Sequence, residues 1–178
     1  MDAINRLKAF TLSVCITVGM AVASPVAADS LDDKVIATNN EGVAGAIKVE
    51  APRLSKVGEE KRGPVVVETY VSQPSKVRLT LETLPGRGFL PGTAAVIKAT
   101  MERPLADKPS PYDGGLGKTM RAFIFAAADG WYSKDTDSYV GECLMTLTTS
   151  GCDRTVKGVR VVAKRYGTDA FVIEAYRL

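Results

Sequence analysis

The sequence predicts a mainly β domain of the α+β class: an antiparallel sheet or small β-sandwich with one C-terminal amphipathic helix packed on it. Three observations carry this prediction. Apolar and polar residues alternate along several short runs, which is typical of strands with one solvent-exposed face. Pro, Gly and polar residues separate these runs, as expected for turns. One segment near the C-terminus has its apolar residues at helical spacing instead.

Residues 1–28 have the three parts of a secretory signal peptide. Arg6 and Lys8 precede an uncharged apolar run, and Val26 and Ala28 are the small residues expected before a cleavage site. The apolar run is about fifteen residues long, which is short for a membrane-spanning helix. We therefore expect cleavage after Ala28 and no transmembrane segment in the mature chain.

The rest of the chain has the size and composition of one globular domain. Residues 29–44 are polar, and we expect them to form a flexible N-terminal segment before a single β-rich domain at 45–178. The formal net charge is +3 for the 178-residue chain and falls to about +2 when residues 1–28 are removed. This charge is too small to indicate a nucleic-acid partner. The predicted location is the periplasm or the extracellular space.

Two of the three cysteines remain after the predicted cleavage. Cys143 and Cys152 are nine positions apart, and in an oxidising compartment such a pair is expected to form a disulfide. Closing this loop stabilises the fold by about 2.7 kcal/mol in the chain-entropy description. The rival interpretation is a zinc site, but the chain has no His to complete one. The acidic loop at 129–137 does not follow the calcium-loop pattern either, so no metal is predicted.

Alternation predicts most of the strands. In residues 76–84, Val77, Leu79 and Leu81 face one way and the polar residues face the other. A short polar turn joins this run to the preceding one, which predicts a hairpin. The predicted strands are residues 45–51, 64–71, 76–84, 93–101, 118–132, 138–149 and 169–177. The run at 118–132 fits helical spacing about as well as alternation, and we assign it as a strand buried on both faces.

The predicted C-terminal helix covers residues 153–167. Asp153 is a suitable N-cap and Gly167 a suitable residue after the last turn. One sector of the helix would be apolar: Val156, Val159, Val162, Ala163 and Tyr166. The opposite sector would be basic: Arg154, Lys157, Arg160, Lys164 and Arg165.

Residues 112–119, with the sequence YDGGLGKT, resemble the end of a phosphate-binding loop. Such a loop needs a Gly where Tyr112 stands, and Asp113 would repel phosphate. The loop should also follow a buried strand, whereas a proline-rich stretch precedes it. We therefore expect no nucleotide and no other cofactor here.

Catalysis by a Ser–His–Asp or Cys–His arrangement requires a His, which the chain lacks. Carboxylates remain as acid–base candidates, and four of them lie in predicted strands: Glu68, Glu82, Glu142 and Glu174. In alternating strands such residues are more often on the solvent-facing side, and the spacing favours no particular pair.

Two surfaces are candidates for partner contact. Trp131 and Tyr132 lie in a polar loop, where an aromatic pair can anchor a partner or a glycan. The basic helix face, with Arg154, Lys157, Arg160 and Lys164, would suit an acidic partner or anionic lipid.

The sequence therefore favours an exported, non-catalytic envelope protein that binds or assists other periplasmic or secreted components. One alternative is a carboxylate-dependent hydrolase of wall polymer or glycan. Another is a secreted inhibitor that presents the loop between Cys143 and Cys152, because a closed loop is preorganised for binding.

Overall fold

The computed structural model describes residues 31–104, 114–129, 138–140, 142–143, 151–166 and 170–178. In chain order the elements are α1 (Asn40–Glu50), β1 (Ser55–Arg62), β2 (Val65–Ser72), β3 (Val77–Pro85), β4 (Ala94–Pro104), α2 (Gly114–Ile124) with a π-helical turn (Phe125–Asp129), β5 (Cys152–Val156), β6 (Val159–Tyr166) and β7 (Ala170–Tyr176). The fold is mainly β, as predicted.

The seven strands form one antiparallel sheet in the order β1-β2-β3-β4-β7-β6-β5. The predicted hairpin of β2 and β3 is confirmed, and so are the strands assigned to β4 and β7. Leu79 and Leu81 of β3 and Met101 of β4 face α1 and α2, and all three are fully buried. The protein therefore has two layers, with the core between the helices and one face of the sheet.

Helix α1 replaces the strand predicted at residues 45–51, so that prediction was wrong. The side chain of Asn39 caps the helix by accepting a hydrogen bond from the Gly42 amide at 3.0 Å. The buried residues then follow helical spacing: Asn40, Val43, Ala44 and Ile47. Residues 40–44, which were expected to belong to a flexible segment, form the first turns of this helix.

Helix α2 replaces the strand predicted at residues 118–132, which was also wrong over the described part. Met120, Phe123, Ile124 and Ala127 are fully buried at helical spacing and pack against the core face of the sheet. The described residues of the strand predicted at 138–149, which are 138–140 and 142–143, are helical as well. The helices are thus central in the chain.

The predicted C-terminal helix does not form. Residues 152–166 are instead the hairpin of β5 and β6, in which Val156 pairs with Val159. The two residues between them, Lys157 and Gly158, both have positive φ, 47° and 79°, as the tight turn of a hairpin requires. The valines favour strand over helix: in β6, Val159 and Val161 face the core and Val162 lies on the opposite face.

The face of the sheet opposite the helices is partly covered at one end. Leu84 and Ile97 form a small apolar cluster there with Leu31 and Val35. The chain then passes the end of β7: Ile36 and Ala37 hydrogen-bond to Val96 of β4, at 2.8 Å from the Ile36 nitrogen to the Val96 oxygen. We call the remainder of this surface the helix-free face. Register places alternating polar residues along it, such as Thr80 opposite Thr100.

Candidate interaction surface

The loop between β3 and β4 exposes two large apolar side chains. Phe89 is 81% exposed and Leu90 is 50% exposed. Burying a phenylalanine contributes more than burying almost any other side chain, so a protein rarely leaves one this open without a use for it. We call Phe89 and Leu90 the apolar tip.

The backbone under the apolar tip is held in place by hydrogen bonds. The Phe89 amide donates to the Thr38 carbonyl at 2.8 Å. The Thr93 hydroxyl donates to the Leu90 carbonyl at 2.7 Å and accepts from the Leu90 amide at 3.1 Å. The apolar tip is therefore exposed on an organised loop.

Two further features hold the base of this loop. A Cβ atom at Gly88 would lie 2.1 Å from the Thr93 hydroxyl oxygen, so only glycine allows the close approach. Arg87 forms an ion pair with Asp32 at 2.8 Å, which ties the loop to the segment before α1. The ion pair also balances the positive charge of Arg87, two positions before Phe89.

A groove of about 390 Å³ lies beside the apolar tip, between the start of α1 and the π-helical turn. Its lining consists mostly of small or apolar residues: Ile36, Ala37, Thr38, Asn39, Gly42, Val43, Ala46, Phe125, Ala126 and Ala128. Thr38 belongs to this lining, and its carbonyl also accepts the Phe89 hydrogen bond. The groove and the apolar tip are therefore neighbours. A π-helical turn is often found at functional sites, which makes the groove a second feature of interest.

A buried carboxylate network lies on the helix-covered face. Glu68 of β2 is only 6% exposed, in contrast to the expectation that strand carboxylates face solvent. It accepts hydrogen bonds from Lys56 at 2.8 Å, from the Asn40 amide group at 2.8 Å and from the Tyr70 hydroxyl at 3.0 Å. Asn40 in turn accepts from the Ala94 amide at 3.0 Å, so the network joins α1 to three strands.

The electrostatics of this network favour a structural role. Burial alone would raise the pKa of Glu68, but the hydrogen bonds from Lys56, Asn40 and Tyr70 outweigh it and hold the pKa below its ordinary value. Burial and the Glu68 carboxylate raise the pKa of Tyr70 to about 12. Burial opposes the charge of Lys56, yet Glu59 and Glu68 raise its pKa above the ordinary range. At neutral pH Glu68 is therefore ionised and the other two are protonated, which suits a clamp better than proton transfer.

The other three carboxylates singled out in the sequence lie elsewhere. Register places Glu82 and Glu174 on the helix-free face, and Glu174 forms an ion pair with Lys98 at 3.0 Å. Glu142 lies in the helical segment at 142–143 and pairs with Arg154. Glu68 is thus separated from Glu82 and Glu174 by the sheet.

The basic residues predicted to share a helix face are divided by the β5–β6 hairpin. Arg154 pairs with Glu142, whereas Arg160 pairs with Asp153 on the helix-free face at 2.9 Å. Lys164 is exposed on the same face as Arg160, and Lys157 lies in the turn. A continuous basic helix face is therefore not present, because these side chains alternate along strands. Trp131 and Tyr132 lie outside the described residues.

Arg160 and Lys164 line a shallow hollow of about 300 Å³ on the helix-free face, together with Asp153, Glu174 and Tyr176. Lys98 and Arg160 lie 6.0 and 5.9 Å from the centre of the Tyr176 ring. The hydrogen bonds and the charge of Arg160 hold the pKa of Asp153 below its ordinary value. Arg160 in this hollow and Lys98 beside it are therefore matched by the carboxylates of Asp153 and Glu174.

Cys143 and Cys152 lie at disulfide distance, with 5.4 Å between their Cα atoms. The pair links the helical segment at 142–143 to the start of β5. Nearby, the Tyr139 hydroxyl donates to the Val161 carbonyl at 3.2 Å, and burial raises the pKa of this tyrosine above its ordinary value. Residues 144–150, which the inhibitor hypothesis requires, lie outside the described part of the chain.

The phosphate-loop resemblance receives no support from the described part of residues 112–119. Gly114 begins α2, and Thr119 lies inside this helix. The Thr119 hydroxyl donates to the Gly115 carbonyl at 2.7 Å and accepts from Arg103 at 3.0 Å, so its hydrogen bonds are made within the protein. Tyr112 and Asp113 lie outside the described residues.

Within the described ranges, no group of three or more His, Cys, Asp or Glu side chains is placed to hold a metal ion. None of the helices in the same part of the chain is long and apolar enough to cross a membrane.

Comparison of the chain with known protein families, with curated proteins and with solved structures finds no match.

Proposed function

We propose that the protein is an exported, non-catalytic binding module for other envelope or secreted proteins, and that the apolar tip is its anchor. The observation that carries this proposal is the 81% exposure of Phe89 on a loop fixed by backbone hydrogen bonds. Interfaces obtain most of their binding energy from a few such aromatic residues that enter pockets on the partner.

The size of the exposed surface supports an anchoring role. An aromatic side chain carries roughly 200 Å² of surface, so Phe89 can bury on the order of 160 Å². At about 25 cal/mol per Å² this contributes roughly 4 kcal/mol, before the cost of association. The hydrogen bond from the Phe89 amide to Thr38 and the one from the Thr93 hydroxyl to Leu90 reduce the ordering cost, because the loop is already held in one conformation.

The chemistry around the apolar tip favours a protein pocket over a membrane surface. Two apolar side chains are few for membrane anchoring, which normally needs a larger apolar face or added positive charge. Arg87, two positions before Phe89 in the sequence, is paired with Asp32 and adds little attraction to anionic lipid. The expected partner surface is therefore an apolar pocket on a protein.

The exported location rests on the sequence of residues 1–28 and on the cysteine pair. Cys143 and Cys152 lie close enough for a disulfide, which persists in oxidising compartments. Arg160, Lys164 and the other basic residues of the β5–β6 hairpin remain candidates for a secondary polar contact.

A photo-crosslinking analogue of phenylalanine at residue 89, which keeps the aromatic ring of the anchor, tests this proposal in cells that export the full chain. We expect a discrete protein adduct from position 89 and none from position 57, where Val57 is also exposed, at 60%. Leu90→Asp should abolish the adduct, because a charge beside Phe89 cannot enter an apolar pocket. Val57→Asp is the matched control and should leave it intact.

Two results would contradict the proposal. One is an adduct from position 89 that survives Leu90→Asp. The other is the absence of any protein adduct from position 89. If the purified protein then binds lipid vesicles in a way that depends on Phe89, the apolar tip is a membrane contact.

A further inference from the structure

We infer that a second copy of this chain is a partner of the apolar tip, with Phe89 and Leu90 of each copy seated in the groove of the other. This inference rests on the proposed function, since it takes the apolar tip to be an anchor. The inference adds the surface that receives the apolar tip, which is the groove of the other copy.

The groove matches the apolar tip in size and chemistry. Its volume of about 390 Å³ is within the range of pockets that hold compact organic ligands. Four of the lining residues are alanines, whose small side chains leave space in the groove: Ala37, Ala46, Ala126 and Ala128. Val43 adds a further apolar side chain. A phenylalanine side chain entering the groove would replace water with contacts to these side chains.

The positions of the apolar tip and the groove permit a closed, twofold symmetric dimer. Thr38 lines the groove and also holds the Phe89 amide, so the apolar tip and the groove lie side by side. A twofold axis between them would place each tip over the groove of the other copy. Such an isologous contact closes on itself, whereas a tip and groove on opposite sides of the molecule would produce an open chain of copies.

Charge is compatible with this arrangement. Arg87 stands two positions before Phe89, and Glu41 stands next to Gly42 of the groove on the exposed side of α1. A twofold contact brings the Arg87–Asp32 ion pair of one copy toward the glutamate of the other, so the arginine is shared between two carboxylates and the contribution of charge is small. Opposite charges at the rim favour encounter and correct register more than affinity.

The area involved indicates a dimer that depends on concentration. A stable interface buries about 800 Å² on each partner, and the apolar tip supplies on the order of 200 Å² of it. The tips and grooves would form the centre of the contact, with the polar rim adding area but little energy. We therefore expect monomer and dimer to exchange at micromolar concentrations or above.

Sedimentation velocity of the purified exported protein over a wide concentration range tests the inference. We expect a monomer–dimer equilibrium that Phe89→Ala weakens by about tenfold or more. Ala46→Phe, which fills the groove from α1, should weaken it similarly. Val49→Ala removes an apolar side chain that is 76% exposed on the same helix but is not part of the groove, and should leave the dissociation constant unchanged. Thermal unfolding of each variant verifies that it is folded.

A mixture of the two variants gives a sharper test. Phe89→Ala retains an intact groove and Ala46→Phe retains an intact tip, so together they can form one of the two contacts. We expect the mixed dimer to be tighter than either variant alone and weaker than the unmodified dimer.

The outcomes separate this inference from the proposed function. A protein that stays monomeric at all concentrations, yet gives a position-89 adduct with a different protein, overturns the dimer and keeps the binding module. A dimer that responds to Phe89→Ala but not to Ala46→Phe overturns the groove as the receiving surface. If the unmodified protein forms no dimer and position 89 gives no protein adduct, the dimer inference and the proposed function are both overturned.

Discussion

Replacing Glu68 by Gln tests whether the buried carboxylate network holds α1 on the sheet. Glutamine keeps the shape, and its remaining oxygen can still accept from Asn40 or Tyr70, but it loses the charge-assisted bond from Lys56. A hydrogen bond between charged groups contributes about 1.5–3 kcal/mol. Because the Lys56 side chain is 38% exposed, solvent screens the pair, and the lower end of about 1.5–2 kcal/mol applies.

Urea unfolding at neutral pH measures this loss directly, provided that the dependence on urea is the same in both proteins. For a domain of this size the melting temperature should fall by roughly 3–8 °C. Glu82→Gln is the matched control, since Glu82 lies on the next strand but on the helix-free face, and it should change stability by less than about 0.5 kcal/mol.

The same variant has a predictable pH dependence. The pKa of Glu68 in the folded protein lies below its ordinary value of 4.5, so its ionised form stabilises the fold above about pH 4.5. That contribution is lost as the pH falls through the folded-state pKa. The difference in stability between the natural protein and Glu68→Gln should therefore narrow in acid. Two results would refute the stabilising role of Glu68. One is a loss of unfolding free energy at pH 7 that is no larger for Glu68→Gln than for Glu82→Gln. The other is a loss that is the same at pH 3 as at pH 7.

Two further predictions concern the disulfide and two glycines. Replacing both Cys143 and Cys152 by Ser should lower the free energy of unfolding by about 2.7 kcal/mol, and a urea midpoint that is insensitive to reductant in the natural protein would contradict the linkage. Gly45→Ala should raise stability by about 0.5–1 kcal/mol, because this exposed helical position leaves the new methyl group in open space. Gly158→Ala should instead lower it by about 1–2 kcal/mol, because φ there is 79°. Calorimetry of the two variants should show melting temperatures that move in opposite directions.

The strands that could be predicted from the sequence are those whose alternation is undisturbed. In β3 the residues that face the core are apolar and their neighbours are polar, so the pattern and the structure agree from Val77 to Leu81. Strand β1 was missed because it is an edge strand with every residue exposed, and it carries charges that protect the edge rather than an apolar face. A strand without a buried face has no periodic signal.

The segments whose secondary structure was wrongly predicted share a physical cause: over a short run of residues, apolar positions can fit both the two-residue period of a strand and the 3.6-residue period of a helix. Alternation at Ile47 and Val49 predicted a strand, although the cap at Asn39 and the spacing from Val43 to Ile47 favour a helix. In the C-terminal segment the turn at Lys157 and Gly158 resets the pattern, so two short strands together imitate one amphipathic helix.

The candidate surface was predictable only in part. The burial of Glu68 was predictable from the sequence, because alternation along β2 puts Glu68 on the same side as Val66 and Tyr70, which face the core. No sequence pattern indicates the exposure of Phe89, since the direction in which a loop side chain projects depends on tertiary hydrogen bonds such as the one from the Phe89 amide to Thr38. Arg160 and Lys164 were predicted to share one face of a helix. They do lie on one surface, the helix-free face, but because they occupy alternate positions along strand β6.

The strand order has a consequence for how the chain can be divided. Within the part of the chain that the structure describes, strands β1–β4 are neighbours in sequence order, and so are β5–β7. The two groups of strands pair with each other only where Lys98–Pro104 of β4 meets Ala170–Tyr176 of β7. A cut between residues 104 and 114 would therefore leave every hairpin inside one fragment or the other. The two fragments would share a single ladder and the helical layer, which makes this protein suitable for reconstitution from two separately expressed pieces.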